Sequence, residues 1–145
     1  MRKAQTGVSL MELLTVVMIV AILAAIAVPG YRAYVIRANR SDAKTSLMFL
    51  AGALERCYTR YNRYAYDADP AVGCTVSLPQ NSENGYYTIT DDAGVGGKRN
   101  ASEFTLVAVP QGGQASDTGC GRLSIDQVNT KGKSGTKPVS ECWGK

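Results

Sequence analysis

The chain has 145 residues, of which 45% are hydrophobic and 19% charged, and its formal net charge is +4. This length fits a single domain, and so mild a charge does not by itself indicate a nucleic-acid-binding protein. The chain has no histidine, which excludes triads, metal sites and proton shuttles that depend on that residue. Because no spacing indicates another catalytic site, we expect a protein that is not an enzyme and that uses neither a cofactor nor a metal.

A short basic segment precedes a long apolar run at the start of the chain. Residues 1–7 are polar and include two basic side chains, and every residue but one from Leu13 to Val28 is apolar. A secretory signal has a similar order, but this run is too long and no Ala-x-Ala site follows it. As a helix, residues 8–28 would span about 32 Å, enough to cross a bilayer core. We therefore predict a membrane-spanning helix.

Glu12 lies near the start of the apolar run. An ionised carboxylate in a membrane segment is costly and is usually paired. Either Glu12 stays in contact with water at the level of the lipid headgroups, or it pairs with a cation. A free α-amine, created by cleavage just before the apolar run, would supply that cation.

The run Gly7-Val8-Ser9-Leu10-Met11-Glu12, followed by the apolar stretch and Pro29-x-Tyr31, resembles the N-terminus of type IV pilins and pseudopilins. In that family a prepilin peptidase cuts after the glycine and methylates the new amine. The resemblance implies cleavage between Gly7 and Val8, N-methylation of Val8, and pairing of Glu12 with the Val8 α-amine of an adjacent subunit. Val8 and Ser9 stand where the family usually has phenylalanine and threonine.

The helix is predicted to continue beyond the apolar run. A stripe at steps of three and four indicates one buried helix face, and it comprises Ala43, Leu47, Leu50, Leu54, Cys57 and Tyr61. We predict one helix over residues 8–60, with a kink at Pro29 because proline removes a backbone donor. Residues 62–84 are rich in asparagine, aspartate, glycine and proline and predict a loop.

Strand patterns dominate the second half of the chain. They cover residues 86–90, 103–109 and 122–126, with a weaker fourth at 130–133. A glycine-rich hairpin connection is expected between the first two, and an irregular tail is expected after the fourth. A helix followed by antiparallel strands predicts an α+β domain.

The pilin resemblance makes this fold more specific. It implies the type IV pilin fold, in which a four-stranded antiparallel sheet wraps against the C-terminal half of the long helix. The chain then divides into a leader of residues 1–7, a transmembrane or filament-core helix of residues 8–29 and a globular pilin domain of residues 30–145.

The four cysteines, Cys57, Cys74, Cys120 and Cys142, are widely spaced. A structural zinc site would show a close Cys pair, and an even count on the exported side of a membrane favours disulfides; free thiols and a metal site remain the alternatives. Three pairings are open, of which local closure favours 57 with 74 and 120 with 142. The stretch from Cys120 to Trp143 resembles the C-terminal region of minor pilins of type IVa pili, in which a terminal disulfide staples the last loop to the sheet.

Charge is unevenly distributed along the chain. Residues 30–64 carry seven basic and two acidic side chains, whereas residues 65–145 carry seven basic and nine acidic ones. The basic helix is either a solvated surface or a surface that docks on acidic residues of neighbouring subunits. The paired acids at 67 and 69 and at 91 and 92 leave calcium as an alternative, which would favour a pseudopilin.

The resemblance implies a structural, minor subunit of a type IV pilus that supports adhesion, twitching motility or DNA uptake. Its implied partners are other pilin subunits, the prepilin peptidase and an inner-membrane assembly platform. The precursor is expected in the inner membrane and the mature protein in the extracellular pilus. The alternatives are a pseudopilin of type II secretion and a signal-anchored periplasmic domain that binds a ligand, although the latter leaves Gly7 and Glu12 unexplained.

Some minor pilins are DNA receptors in natural transformation, and this chain resembles that group in size, basic charge and terminal disulfide. The candidate DNA-binding residues are Lys131, Lys133, Lys137 and Lys145, with Trp143 as a neighbour. The alternative is that these lysines only keep an exposed tail soluble. Because residues 65–145 are net acidic, any positive patch there must be local.

Overall fold

A computed structural model describes residues 9–71 and 73–144, so Gly7, Val8 and Lys145 lie outside the described residues. The chain divides into two compact units, Met1–Val35 and Ile36–Lys145. One helix, α1 (Leu10–Tyr61), belongs partly to each unit and continues through Pro29. These bounds agree with the predicted helix to within two residues, and the kink at Pro29 stays a prediction.

The first unit contains the apolar part of α1. Its side chains are exposed from Leu10 to Val28, and its most apolar 18-residue window has a mean hydropathy of 2.7 with none of it buried. This part of α1 is long and apolar enough to cross a membrane. A helix that is apolar on all sides needs lipid or other apolar surface around it.

The helix begins with a side-chain cap. Ser9 precedes α1, and its hydroxyl accepts a 3.2 Å hydrogen bond from the Glu12 backbone N–H. This is half of a capping box, in which a serine satisfies a free N–H of the first turn and a glutamate lies three residues later. The carboxylate of Glu12 also lies in the first turn, where the helix dipole favours negative charge.

The second unit is an α+β domain. Its sheet contains β1 (Gln80–Asn81), β2 (Tyr87–Thr90), β3 (Lys98–Arg99), β4 (Phe104–Pro110), β5 (Leu123–Asp126) and β6 (Lys131–Lys133). The strand order is β1-β2-β4-β5-β6, β3 pairs with β4, and every pair is antiparallel. A short helix, α2 (Val139–Trp143), follows the sheet.

The core lies between the sheet and the predicted stripe of α1. Ala43, Leu47, Leu50 and Leu54 of this stripe are buried. Cys57 is only partly buried against the core, and Tyr61 at the end of the stripe is partly exposed. On the sheet, the register places Leu106 opposite Ile125 and Ala108 opposite Leu123, and alternation turns all four toward the core. Each large apolar side chain buried in this way stabilises the fold by about 2 kcal/mol.

Two details differ from the predicted fold. The sheet has six strands rather than four, because the two-residue strands β1 and β3 lie in segments that were predicted as loop and connection. The tail, predicted to be irregular, contains α2, which Pro138 precedes and Gly144 ends. Proline and glycine here mark the boundaries of a short helix rather than its absence.

Two disulfides close the domain. Cys57 is bonded to Cys74, with Cα atoms 5.2 Å apart, and Cys120 to Cys142, with Cα atoms 5.6 Å apart. These are the two pairs that local closure favours. The first joins the end of α1 to the loop that follows it, and the second joins the loop before β5 to α2.

The acidic pairs considered for calcium have partners within the fold. Asp91 forms an ion pair with Arg99, with 2.8 Å between Oδ2 and Nε. Asp92 accepts a 2.7 Å hydrogen bond from the Gly94 N–H, and Asp69 accepts one of 2.8 Å from the Ala71 N–H. Asp92 and Asp69 therefore organise turns, and Asp91 is paired with an arginine.

Candidate functional site

The candidate site is the tail that the second disulfide fastens to the edge of the sheet. Cys120 and Cys142 are fully buried, and Trp143 donates from its indole Nε1 to the Gly132 carbonyl oxygen at 2.9 Å. Trp143 is only 7% exposed, so the aromatic ring is held against β6. The segment from Lys131 to Trp143 is therefore held against the sheet.

A close approach of two backbone segments explains why this loop needs glycine. Gly135 donates its N–H to the Cys120 carbonyl oxygen at 2.9 Å. A Cβ at Gly135 would lie 2.2 Å from the Gly119 carbonyl oxygen, so a larger residue would push the segments apart. This contact continues in a 2.8 Å hydrogen bond from the Lys137 N–H to the same Gly119 oxygen.

The structure places the three described candidate lysines near the segments that the Cys120–Cys142 disulfide joins, and each lysine has a different environment. Lys137 forms an ion pair with Glu141 at 2.8 Å, and both side chains are about half exposed. Lys133 donates from Nζ to the Gly135 carbonyl oxygen. Lys131 lies with Nζ 5.4 Å from the centroid of the Trp143 ring, and within the described chain it is the one of the three without an ion pair or a hydrogen bond from its ammonium group.

Lys44, which sequence reasoning did not select, completes the positive surface. Burial lowers the pKa of Lys44, and the positive charges of Arg40 and Lys131 lower this pKa further. A Cβ at Gly144 would lie 3.9 Å from Lys44 Nζ, which places this ammonium group beside the end of α2. Among the described residues, neither Lys44 nor Lys131 forms an ion pair.

Lys44 and Lys131 are partly buried residues of like charge, and the positive charge of Lys131 is one of the causes that lower the pKa of Lys44. An anion placed between them would relieve this repulsion, because opposite charge stabilises the protonated form of both lysines. The buried Trp143 ring lies next to Lys131, with Lys131 Nζ 5.4 Å from the ring centroid, and forms a fixed support for this ammonium group. The arrangement can bind an anionic ligand, and we name Lys44, Lys131 and Trp143 the lysine–tryptophan cluster.

A buried ion pair connects α1 with the segment that carries Cys120, next to the lysine–tryptophan cluster. Arg40 binds Asp117 through two hydrogen bonds, from Nε to Oδ2 at 2.7 Å and from Nη2 to Oδ1 at 2.8 Å. The hydrogen bond with Asp117 raises the pKa of Arg40, against the opposing effect of burial. Asp117 Oδ1 also accepts the N–H of Cys120 at 3.2 Å, so this ion pair connects α1 with the staple and neutralises Arg40.

A second polar contact connects α1 with the segment before β2. Asp42 is buried and accepts hydrogen bonds from the Ser82 hydroxyl and from the Asn84 side chain and backbone. The partners lie 40 and 42 residues away in sequence, so no local pattern could have revealed them.

The chain resembles known pilus proteins. Residues 29–124 match a family described as "Type IV minor pilin ComP, DNA uptake sequence receptor". Lys44 lies inside this match, whereas Lys131 and the tail lie beyond it.

Two curated relatives are also similar to the chain. It is 30% identical over 144 residues to a fimbrial protein of Moraxella nonliquefaciens, covering 88% of each chain. It is 33% identical over 102 residues to the type IV major pilin protein PilA of Myxococcus xanthus (strain DK1622), covering 70% of this chain but 44% of that relative. This chain therefore matches less than half the length of the Myxococcus protein.

A solved structure shares the fold. The non-core minor pilin PilV of Neisseria meningitidis superposes with a TM-score of 0.51 at 22% identity, covering 72% of this chain and 92% of that chain. At this identity the likeness concerns the fold alone.

Proposed function

The chain belongs to the type IV pilin family, and on that premise we propose that it is a minor subunit of a type IV pilus that binds DNA. Pilins assemble with other pilins, so the protein is a structural filament subunit. The observation that carries the finer proposal is the match of residues 29–124 to a family described as a DNA uptake sequence receptor.

The assembly route we propose follows the N-terminal segment. The prepilin peptidase cuts between Gly7 and Val8 and methylates the new amine while the apolar part of α1 lies in the inner membrane. The assembly platform then transfers the subunit into the filament, where exposed apolar side chains of α1 exchange lipid contacts for contacts with other pilins. The exposed helix from Leu10 to Val28, which is apolar except for Glu12 and Thr15, supports this route.

Glu12 is proposed to pair with the Val8 α-amine of an adjacent subunit during this transfer. Loss of one partner of a buried ion pair costs about 3–5 kcal/mol, so Glu12→Ala is expected to remain membrane-bound and processed but to be poorly incorporated. Quantitative immunoblotting of sheared filaments and membranes measures this. Unchanged incorporation would show that Glu12 is only an interfacial residue.

DNA binding is proposed for the lysine–tryptophan cluster. Lysines bind duplex DNA by displacing counterions from phosphates, which makes affinity fall with salt. Lys131 and Lys44 have no ion-pair partner among the described residues, and Lys133, which has none there either, donates to the Gly135 carbonyl oxygen. Lys133, Lys137 and Lys145 are proposed to add weaker, peripheral contacts.

The test is the affinity of the detergent-solubilised protein for duplex DNA at several salt concentrations. Each phosphate contact contributes about −0.9 to the slope of log K against log salt, so Lys44→Ala with Lys131→Ala should make the slope less steep by about 1.8. Lys98→Ala is the matched control, because Lys98 pairs with Glu103 away from the tail. Binding that is undetectable at low salt would overturn the DNA proposal, and binding that survives loss of Lys44 and all four tail lysines would overturn this site.

A further inference from the structure

The connection between β1 and β2 contains an asparagine that directly precedes a glycine. The chain has six asparagines, and of these only Asn84 is followed by glycine, at Gly85. The backbone nitrogen that follows an asparagine can attack the carbonyl carbon of its side chain, and glycine hinders this attack least because it has no Cβ. Asn84 is therefore the asparagine of this chain that is most open to spontaneous deamidation.

The turn that carries this pair is exposed and sterically open. Asn84 and Gly85 are exposed, as are Glu83 and Tyr86 on either side. Gly85 has a φ of +72°, in the left-handed region that favours glycine, and a Cβ there would meet no atom within 4 Å. The Gly85 N–H donates to the Ser82 carbonyl oxygen at 2.9 Å, and this hydrogen bond has to open before the nitrogen can attack. Water reaches the reacting atoms from the exposed side of the turn.

Asn84 also fastens this turn to α1 through a buried carboxylate. It donates twice to Asp42 Oδ1, from Nδ2 at 3.1 Å and from its backbone N–H at 3.2 Å. Asp42 is 6% exposed, and its Oδ2 accepts from the Ser82 hydroxyl. A buried carboxylate needs such donors, because a charge without partners inside a protein is costly. An amide at position 84 therefore suits this place, and a second carboxylate does not.

We propose that Asn84 is a site of spontaneous deamidation, and that its conversion detaches the β1–β2 connection from α1. The Gly85 backbone nitrogen forms a bond to Asn84 Cγ while the Cγ–Nδ2 bond breaks, and the Gly85 amide proton leaves with Nδ2 as ammonia. Water then opens the resulting succinimide ring at one of its two carbonyl carbons, which gives aspartate or isoaspartate. One water molecule is consumed and one ammonia is released, so the step needs no other co-reactant.

Either product carries a carboxylate in place of the side-chain amide. Asp42 Oδ1 then loses the donor that lies 3.1 Å away and faces a group of like charge. Two carboxylates at close range repel, and the repulsion is stronger inside a protein than in water. Isoaspartate in addition lengthens the backbone of the turn by one methylene group. Gln80, Asn81 and Glu83 share a groove of about 320 Å³ with side chains of α1, so the lost contact borders the place where β1 lies beside the helix.

The first experiment follows the full-length, detergent-solubilised protein during incubation at mildly alkaline pH, where deprotonation of the backbone amide promotes the attack. Peptide mapping by mass spectrometry should find the replacement of –NH₂ by –OH at Asn84 before it appears at any other asparagine. Gly85→Ala should slow this conversion severalfold, because the added Cβ hinders the attack.

Asn81 is the internal control in the unaltered protein, because it is also exposed but is followed by serine. Conversion at Asn81 as fast as that at Asn84 would overturn the proposal. So would conversion of Asn84 that occurs in urea and not in the folded protein.

The second experiment measures what the conversion does to the fold. Asn84→Asp reproduces the aspartate product and should lower the unfolding temperature by about 5 °C, the shift expected in a domain of this size when the net value of one hydrogen bond is lost. Asn81→Asp is the matched control, because residue 81 accepts from the Thr88 hydroxyl, which a carboxylate can also do; it should leave the unfolding temperature unchanged. Incubated protein should show the Asn84→Asp shift in proportion to its converted fraction.

The exchange variant Asp42→Asn/Asn84→Asp separates repulsion between carboxylates from other effects of the substitution. It places one amide and one carboxylate opposite each other again, so it should be more stable than Asn84→Asp alone, a coupling that a double-mutant cycle measures. An Asn84→Asp variant as stable as the unaltered protein, or an exchange variant no more stable than Asn84→Asp, would overturn the detachment. Neither experiment depends on filament assembly or on DNA binding, so failure here is distinguishable from failure of the proposed function.

Discussion

At the scale of single residues, two buried tyrosines make the fold sensitive to alkaline pH. Tyr87 is fully buried and Tyr64 is 5% exposed. Burial raises the pKa of Tyr87 to about 12, and burial together with a hydrogen bond to Glu55 raises the pKa of Tyr64 to about 12. Both hydroxyls therefore stay protonated in the folded state at a pH where an exposed tyrosine, with a pKa of about 10, would ionise.

We predict that the stabilisation that depends on protonated Tyr64 and Tyr87 is fully present below about pH 10, the pKa of an unfolded tyrosine. This contribution to the free energy of unfolding is lost as the pH rises toward 12, because the unfolded chain then releases protons that the folded chain retains. Thermal unfolding at fixed salt across this range measures the loss. Tyr87→Phe should lower stability at pH 7 by about 1 kcal/mol, the net value of a hydrogen bond, since Tyr87 Oη accepts from Gln114 Nε2 at 2.9 Å. The same variant should also lose less stability between pH 10 and pH 12 than the unaltered protein. An equal loss of stability in the two proteins would show that Tyr87 does not cause the alkaline sensitivity.

At the scale of elements, an apolar stripe and the buried polar contacts of Arg40 and Asp42 are among the interactions that connect α1 with the rest of the α+β domain. The stripe could be predicted, because spacing along one helix determines which side chains share a face. The polar contacts could not: Arg40 and its partner Asp117 are 77 residues apart, and each alone resembles a surface charge. The same limit applies to β1 and β3, whose two residues are too few to show alternation, and to Lys44, whose neighbours come from the tail.

Replacing Arg40 by alanine should lower the free energy of unfolding by about 3–5 kcal/mol, because Asp117 would remain buried without its partner. Urea unfolding of the detergent-solubilised protein measures this. The double variant Arg40→Met/Asp117→Leu removes both charges and should be less destabilised than Arg40→Ala. If the double variant were the less stable of the two, the cost would come from packing and not from an unpaired carboxylate.

The two disulfide pairings could be predicted from the sequence by local closure. What each disulfide holds in place is visible only in the structure. Cys57–Cys74 and Cys120–Cys142 enclose segments of similar length, with sequence separations of 17 and 22. Each loop should contribute about 3 kcal/mol in the chain-entropy model. Only the second holds α2, and with it Trp143, against β6.

We therefore predict that Cys57→Ser/Cys74→Ser and Cys120→Ser/Cys142→Ser lose similar stability, about 3 kcal/mol each. Only the second variant should lose DNA affinity, because it releases the lysine–tryptophan cluster while the first leaves it in place. Unfolding curves and DNA binding below the unfolding temperature check both statements. Equal loss of DNA affinity in the two variants would indicate a general effect of stability.

At the scale of the whole molecule, the chain combines a membrane-compatible helix with a disulfide-closed domain. The resemblance of the N-terminus identified the family, and the match of residues 29–124 and the Moraxella relative confirm it. The α+β fold was also predicted, although the sheet has six strands rather than four. Cleavage, methylation and the pairing of Glu12 stay predictions, because they concern the leader and contacts between subunits.

Intact-mass measurement of protein purified from cells is expected to show loss of residues 1–7, with one added methyl group on Val8. The physical reason is that a free amine at Val8 is the cation that a carboxylate at Glu12 requires in an apolar setting. Changing Gly7 to a bulkier residue should abolish the mass shift without changing the disulfides. A mature chain that starts at Met1, or beyond Val28, would contradict this maturation.

The position of β6 at the edge of the sheet has a consequence for crowding. β6 is the last strand of the sheet, and an exposed last strand is a template on which another chain can extend the sheet. This strand has only three residues, two of which are lysines, and short length and lysine side chains both oppose such pairing. Where many copies are packed side by side, this edge keeps their sheets from fusing, so that contacts between subunits remain contacts between side chains.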